Sequence, residues 1–392
     1  MTLRISAEQR RARLGVRHLL SARGTGRGPA DIADDLVVLH ATDPPSVYLA
    51  VAARSADLTS QHISDALYEE RSLIRMLGMR RTMFVVPTRL AAVVQHSSAA
   101  AVAERLRRKL ISELAVVVPD AQAWLDQVED SVLEVLRGRG SATSAALAAA
   151  EPRLRTTLMY AEGKSYGGPG AINGRVLNIL SAQGRIVRGR TAGGWTGSLY
   201  QWAPIDRWVP GGLPEVPVEQ ARAALVTHWL ARFGPATVAD VKWWTGWNLG
   251  DTRRALSRLD TEPVDLDGVE GVVLASDTEP VDVPPPWVAL VPALDPTAMG
   301  WFQRGWYLPP AHRSALFDRT GNIGPSVWHN GRIVGGWGQR AGGGLGWHLL
   351  EDIGAEAAAA VAAEAARLEA WIGGARVVPK FRTPLERELA GG

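Results

Sequence analysis

The feature that most constrains the fold is a plan of helices followed by a strand–turn–strand, which recurs three times along the 392-residue chain. The copies span about residues 6–87, 120–208 and 216–275. In each copy, apolar side chains at helical spacing precede a short hairpin pattern. Helices followed by a hairpin are the outline of a winged helix, which is a variant of the helix-turn-helix.

This repetition divides the sequence into predicted domains. Winged-helix units are predicted at residues 1–117, 118–212 and 213–283, and a proline-rich link at 280–286 ends the third unit. Beyond the link, short strand patterns alternate with turns, and one alanine-rich helix is predicted over 355–372. We therefore predict a mainly α fold with α+β character: three tandem winged-helix units and a small C-terminal α+β domain at 284–392.

Basic side chains are concentrated in the first half of the chain, although the formal net charge is only +3. Residues 1–115 contain 17 basic and 11 acidic side chains, residues 137–208 contain 10 and 3, and residues 209–392 contain 16 and 21. A codon bias accounts for the excess of arginine over lysine, but not for this segregation. A polyanion is therefore expected to meet the first half of the chain.

Several classes of protein are disfavoured by what the sequence lacks. There is no cysteine, so disulfides, thiolate nucleophiles and cysteine-bound zinc are excluded. The phosphate-loop, zinc-protease and serine-hydrolase signatures are missing, and the eight histidines have no metal-ligand spacing. We predict no metal and no cofactor. No apolar run reaches the roughly 20 residues that span a bilayer, and no secretory signal pattern is found, so a cytoplasmic location without a membrane partner is expected.

Arginines of the second unit are candidate DNA contacts. Arg175 lies on the predicted third helix, Arg185, Arg188 and Arg190 lie on the predicted wing, and Trp195 follows them. In a winged helix the third helix enters a groove and the wing contacts the backbone, where guanidinium groups pair with phosphates. An aromatic side chain on a wing can stack on or wedge between bases. The alternatives are a solvated wing for the arginines and a core position for the tryptophan.

The segment YEERSLIRMLGMRRTMF, residues 68–84, is the most distinctive stretch. It predicts a hairpin with strands at 72–77 and 82–86, whose turn contains Arg80 and Arg81. We predict that both arginines contact DNA. The glutamates Glu69 and Glu70 are expected to form structural ion pairs at a helix end, together with Arg71 and Arg75.

Five stretches resemble the bacterial winged-helix family that includes the glycosylases AlkZ and YcaQ, and they follow the family's order over most of the chain. The second and third are the most specific. The stretches are LHATDPPSVYLAVAAR (39–54), LYEERSLIRMLGMRRTMFVVP (67–87), FGPATVADVKWWTGW (233–247), LVPALDPTAMGWFQR (290–304) and GNIGPSVWHNGRIVGGW (321–337).

The resemblance implies three tandem winged helices in a C-shaped arrangement that holds double-stranded DNA. It also implies a monofunctional DNA glycosylase of base excision repair, which hydrolyses the N-glycosidic bond of bulky alkylated purines. Genotoxin adducts or cross-links would be substrates of this kind, and self-resistance would be the corresponding role.

The sequence departs from the family at its catalytic motif, Gln-x-Gln or Gln-x-Asp directly before Asp-Pro. Here His40, Ala41 and Thr42 precede Asp43. An alkylated purine is already a cationic leaving group, so the enzyme needs only to place a water near C1′ and stabilise the sugar cation. His40 is expected to orient that water or accept its proton, and Thr42 to supply a second hydrogen bond.

Two other functions remain open at this stage. If the His–Thr pair has lost catalysis, the chain is a non-catalytic winged-helix DNA-binding protein or transcription regulator. A protein-interaction scaffold would instead lack DNA affinity and its steep salt dependence. A regulator usually dimerises to read two half-sites, and three winged helices in one chain reduce that need, so a monomer is expected.

Overall fold

The computed structural model describes residues 3–160 and 167–391, and its fold is mixed α/β. Residues 161–166, which belong to the predicted second unit, lie outside the described residues. Three repeats of one connectivity are followed by a C-terminal domain. Within the part of the chain that the structure describes, no helix combines the length and hydropathy that crossing a bilayer requires.

An N-terminal segment precedes the first repeat and consists of β1 (Leu3–Arg4) and α1 (Ala7–Arg17). The first repeat spans residues 29–87. Its elements are α2 (Pro29–Asp35), β2 (Leu39–His40), α3 (Pro44–Ala52), α4 (Ser60–Tyr68), β3 (Leu73–Leu77) and β4 (Met83–Pro87). The strands pair antiparallel in the order β2–β4–β3, and the predicted hairpin is present. Thr59 caps α4 and thereby fixes its start after the preceding loop.

A helical stretch with a π-helical turn follows the first repeat. It consists of α5 (Ala91–Val94), a π-helical turn at Gln95–Ala99 and α6 (Ala100–Leu114). The second repeat spans residues 121–204. Its elements are α7 (Ala121–Arg139), β5 (Ala142–Thr143), α8 (Ser144–Ala150), β6 (Thr157–Tyr160), β7 (Gly168–Ala171), α9 (Asn173–Ala182), β8 (Ile186–Ala192) and β9 (Leu199–Pro204).

The sheet of the second repeat has the order β5–β9–β8, which is the order found in the first repeat. An additional hairpin, β6–β7, is inserted before the third helix. The sequence predicted this helix over 170–182, but it begins at Asn173, because the Gly-Pro-Gly at 168–170 forms strand β7. Glycine and proline are poor helix formers, which accounts for the later start.

The third repeat spans residues 218–274. Its elements are α10 (Val218–Phe233), α11 (Val238–Thr245), α12 (Leu249–Leu256), β10 (Thr261–Asp265) and β11 (Glu270–Leu274). A single residue, Ala236, takes the place of the short first strand and bridges Val272 of β11. Strand β1 of the N-terminal segment pairs parallel with β10, with Leu3 opposite Val264. Residues 3–17, which the sequence assigned to the first unit, therefore pack on the third repeat.

The C-terminal domain is an antiparallel sheet in the order β12–β13–β14–β15 with helices packed against it. Its elements are β12 (Val288–Val291), α13 (Arg313–Leu316), β13 (Ser326–His329), β14 (Arg332–Gln339), β15 (Leu345–Leu349), α14 (Ala355–Ile372) and α15 (Pro384–Leu389). The predicted helix at 355–372 matches α14. Apolar side chains of α14, such as Val361 and Leu368, pack on Leu290 and Trp337 of the sheet.

The cores show how the parts are joined. The second repeat has a core of its own, which includes Leu136, Leu177 and Trp202. The third repeat, the C-terminal domain and one face of the first repeat's hairpin share a larger core, with Trp229 and Trp328 among its buried side chains. This continuous packing brings first-repeat, third-repeat and C-terminal residues together at one place.

Candidate functional site

His40 lies on β2 opposite Phe84 of β4, and its ring meets the Phe84 ring edge-on, with centroids 5.5 Å apart. The side chain is largely buried, and its Nδ1 has no hydrogen-bond partner among the described residues. Burial, assisted by the positive charge of Arg80, lowers the pKa of His40 to about 3. The imidazole is therefore neutral near pH 7. Nδ1 is sealed from solvent, so Nε2 is the ring nitrogen that can accept a hydrogen bond from a molecule in solution.

A cleft of about 450 Å³ opens at His40, and we call it the His40 cleft. The first repeat, the third repeat and the C-terminal domain each contribute to its walls. Its lining residues are His40, Arg80, Thr82, Trp243, Met299, Phe302, Arg304, Arg313, Thr320, Gly321 and Asn322. Three of these side chains are cationic, and none of the lining residues described is a carboxylate. The cleft is therefore suited to an anion.

Arg80 lies in the turn between β3 and β4, and its side chain stacks on Trp243 of the third repeat. Its guanidinium lies 4.1 Å from the centre of the Trp243 ring, and that of Arg304 lies 4.8 Å from the same ring. Arg80 has a left-handed backbone with φ 52°, and Gly246 leaves room for it, because a Cβ there would meet the Arg80 Cγ at 2.7 Å. Burial and the nearby Arg304 lower the pKa of Arg80 to about 10.

The arginines of the His40 cleft have no carboxylate partner in the part of the chain that the structure describes. In residues 3–160 and 167–391, none of Arg80, Arg304 and Arg313 forms an ion pair with a carboxylate. Their contacts include aromatic rings, a backbone carbonyl and the sulfur of Met299. Uncompensated positive charge that is partly removed from water is costly. A bound anion would remove that cost.

The other residues of the predicted motif lie beside the cleft. Thr42 is half-buried in the loop between β2 and α3 and is not one of the lining residues. The carbonyl of Ala41 accepts a long hydrogen bond of 3.4 Å from Arg75, and the carboxylate of Asp43 accepts from the Ser46 hydroxyl at 2.9 Å and from the backbone N–H of Lys380 at 3.3 Å. These bonds fix the backbone on either side of Thr42. Arg81 is exposed in the same turn as Arg80.

The predicted DNA-binding arginines of the second repeat do not line the His40 cleft. Arg175 of α9 forms an ion pair with Glu113 of α6. Arg185 lies 3.2 Å from Asp130 and 3.8 Å from Glu129. In contrast to the cleft arginines, both have carboxylate partners within the protein.

Of the two remaining arginines of the second repeat, Arg188 contacts residues of its own repeat and Arg190 contacts the first repeat. Arg188 donates to Asn178 at 3.2 Å and lies over the rings of Tyr200 and Trp202. Arg190 pairs with Glu69 and lies 5.0 Å from the centre of the Tyr68 ring. The structural ion pair expected for Glu69 therefore exists, but its partner comes from another repeat and not from the neighbouring Arg71 or Arg75.

Trp195 occupies the short 3₁₀ turn between β8 and β9 and is partly buried. Its ring packs on Tyr48 of α3, with centroids 5.3 Å apart, and edge-on against Trp371 of α14, at 5.7 Å. The turn is thus inserted between the first repeat and the C-terminal domain. The ring therefore packs against other side chains of the protein, as the alternative of a core position for Trp195 predicts.

Only His40 and Arg80 of the cleft residues were predicted from the sequence, and Phe302, Arg304 and Arg313 are among those that were not. They lie in the part of the chain that has a net negative charge, so the regional charge count pointed away from them. The only signal was the stretch LVPALDPTAMGWFQR, which contains the first two. Nothing in its spacing indicated that it would face His40.

Comparisons with known proteins agree with one another. The family model described as DNA glycosylase AlkZ-like matches residues 33–371. Among solved structures, the DNA glycosylase AlkZ of Streptomyces sahachiroi is similar, with a TM-score of 0.75 and 21% sequence identity over 96% of this chain and 99% of that chain. At that identity the likeness shows a common fold. No curated protein matches the sequence.

Proposed function

Because the chain belongs to the AlkZ-like DNA glycosylase family, we propose that it hydrolyses the N-glycosidic bond of bulky alkylated purines in double-stranded DNA. The observation that carries the proposal is a neutral, largely buried histidine on the wall of a cationic cleft, whose Nε2 is not among the ring atoms sealed from solvent. Such a cleft draws the phosphate backbone toward a side chain that can position a water.

The reaction does not require a strong base at His40. A purine alkylated at a ring nitrogen departs as a neutral base, so the C1′–N bond breaks with its electron pair going to the purine. A water O–H donates to Nε2 of His40, the ring nitrogen that is not sealed from solvent, and the water oxygen forms the new bond to C1′. With a pKa of about 3, His40 is too weak a base to remove the proton early, so it orients the water and the proton passes on to solvent. We propose that the Thr42 hydroxyl gives that water a second hydrogen bond.

Tandem winged helices are the architecture that fits this activity. Each repeat has the order helix, short strand, two helices and hairpin, and in each the short strand or bridge pairs with the second hairpin strand. This connectivity supports the proposal of three winged-helix modules, with boundaries near 117, 212 and 283. Three modules in one chain supply an extended DNA surface without a second copy, so we propose that the protein acts as a monomer.

The first wing is the proposed entry point for DNA. Arg80 and Arg81 lie in its turn, and in the described residues neither has a carboxylate partner. We propose that both bind phosphates of the strand that contains the lesion. Arg175, Arg185 and Arg190 would first have to exchange their carboxylate partners for phosphate. Arg188 is held by Asn178 and two aromatic rings, so we assign all four a secondary role.

Excision of a defined adduct tests the proposed function. Duplex DNA with one N7-alkylguanine is incubated with excess protein, and abasic sites are revealed by alkaline cleavage. We expect cleavage only after alkali, as a monofunctional glycosylase requires. His40→Ala should lower the single-turnover rate about 100-fold, with an unchanged Kd for DNA. His40→Gln, which restores the family residue, should recover part of the rate.

The matched control is His348→Ala, because His348 is an exposed histidine on β15 outside the His40 cleft. It should excise like the unmodified protein. If the protein binds the adducted duplex but leaves no abasic sites, the glycosylase proposal is wrong, and the non-catalytic DNA-binding protein takes its place.

A further inference from the structure

Phe302 is an exposed aromatic side chain on the wall of the His40 cleft, with 59% of its surface accessible. Its backbone is firmly held. The fully buried carboxylate of Asp240 accepts the backbone N–H groups of Phe302 and Gln303, each at 2.9 Å. The preceding Trp301 is buried, and its indole donates to the carbonyl of Phe233 at 3.1 Å. The ring is therefore presented to solvent by a fixed loop.

Two cations line the same cleft as this ring. Arg304 is fixed by its Nε, which donates to the carbonyl of Trp301 at 2.9 Å, and by its stack on Trp243. Arg313, at the start of α13, is exposed, and its guanidinium lies 4.8 Å from the centre of the Phe317 ring. A lone exposed aromatic residue needs no explanation. A fixed aromatic ring beside arginines without counterions offers what one nucleotide needs, a stacking surface and a phosphate site.

We propose that the C-terminal domain forms a nucleotide-binding wall, in which Phe302 stacks on one unstacked base of the substrate strand and Arg304 and Arg313 bind its phosphate. The inference rests on the proposed function for its substrate, double-stranded DNA opened at a lesion. It extends the DNA surface to a region whose net charge is negative. Stacking on an aromatic face is tolerant of base identity, so the wall would hold the strand without reading its sequence.

A DNA-binding assay in which no bond is broken tests the proposed nucleotide-binding wall. The probe is a fluorescein-labelled duplex with one tetrahydrofuran abasic analogue, whose neighbouring bases are free to leave the stack, and anisotropy gives the Kd. Loss of one stacked base corresponds to about a tenfold weaker Kd, which we expect for Phe302→Ala. Phe302→Leu should be nearly as weak, because leucine is apolar but cannot stack, and Phe302→Tyr should bind like the unmodified protein.

Two further variants sharpen the test. Val116→Ala removes a more exposed apolar side chain outside the cleft, at 85% accessibility, and should leave the Kd unchanged. Arg313→Gln should lower the slope of log Kd against log salt by about 1, the loss of one phosphate contact. Circular dichroism melting identifies any variant that is misfolded.

The outcomes separate this inference from the proposed function. If Phe302→Ala and Phe302→Leu bind the analogue duplex like the unmodified protein, the wall is wrong, and excision of N7-alkylguanine still stands on its own assay. If the unmodified protein excises nothing but the Phe302 and Arg313 variants bind weakly, the glycosylase proposal fails while the wall is upheld.

Discussion

Arg54 and Asp295 form a bidentate ion pair whose two side chains are both fully shielded from solvent. Nη1 donates to Oδ2 at 2.8 Å and Nη2 to Oδ1 at 2.7 Å. Arg54 also donates to the backbone carbonyls of His18 and Ala50 and to the hydroxyl of Thr297. The pair ties the end of α3 in the first repeat to the C-terminal domain. It thus holds together two of the three walls of the His40 cleft.

Asp295→Ala should lower the free energy of unfolding by about 3–5 kcal/mol, because it leaves the buried Arg54 without its counterion. Urea denaturation followed by circular dichroism measures the change. Glu104→Ala is the control, since Glu104 pairs with Arg108 on the exposed face of α6, and it should cost at most about 1 kcal/mol. Overlapping unfolding curves for Asp295→Ala and the unmodified protein would refute the structural role of the pair.

His40 should make stability depend on acidity in a defined window. Its pKa is about 3 in the folded protein and near 6.5 when unfolded, so below pH 6.5 the unfolded chain takes up a proton that the folded one does not. The contribution is complete above pH 6.5 and declines as the pH falls toward 3. The free energy of unfolding should therefore rise more steeply with pH in the unmodified protein than in His40→Gln, by about 1.4 kcal/mol per pH unit near pH 5.

Denaturation at pH 4, 5, 6 and 7 measures this difference in slope between the two proteins. The fully buried His18 also has a lowered pKa, but its contribution cancels in the comparison because both proteins contain it. The rate of excision should not fall with an apparent pKa near 6.5 as the pH is lowered, because His40 of the folded protein stays neutral there. A pH-independent difference between the two proteins would mean that His40 is not shielded as the structure has it.

Arg80 and Arg190 should differ in their contributions to DNA affinity. Arg80 has no carboxylate partner within the described residues, whereas Arg190 is already paired with Glu69. We expect Arg80→Gln to reduce the slope of log Kd against log salt by about 1, and Arg190→Gln to change it by less than about 0.3. Anisotropy titrations of a 20-base-pair duplex between 50 and 200 mM salt measure both slopes.

The control for the arginine comparison is Arg258→Gln, which breaks a surface pair with Glu219 on the third repeat. The complementary variant is Glu69→Gln, which releases Arg190 from its ion pair. If Arg190 contacts DNA once it is released, this variant should bind more tightly than the unmodified protein. Equal losses for Arg80→Gln and Arg190→Gln would show that ion pairing in the free protein does not decide which arginines DNA uses.

Local patterns in the sequence were sufficient to predict most elements of the repeats. The hairpin at 72–77 and 82–86 follows from strand residues on either side of a glycine, and the helix at 355–372 from its alanine-rich composition. Both depend on neighbours within a few positions. The hairpin β6–β7 was missed because its strands are short and include a Gly-Pro-Gly run, which is typical of a loop.

The candidate site was harder to predict, because it depends on which distant side chains meet. Arg80 and His40 were identified from their own segments. That Arg175 would meet Glu113, and that Trp195 would meet Trp371, is decided by the packing of α6 and α14, which lie outside the second repeat. For the same reason Phe302 and Arg313 gave no sign that they would face His40. An arginine's availability for DNA is a property of its surroundings, which spacing along the chain does not encode.

Strand β1 is joined to β10 across some 260 positions of the chain, and this has a consequence for synthesis. At translation rates of about 5–20 residues per second, the first strand waits on the order of 10–50 s for its partner to leave the ribosome. Contacts of such long range are slow to form. β1 covers the outer edge of the third repeat's sheet. A fusion tag joined to the amino terminus would therefore disturb the third repeat before it affected the first.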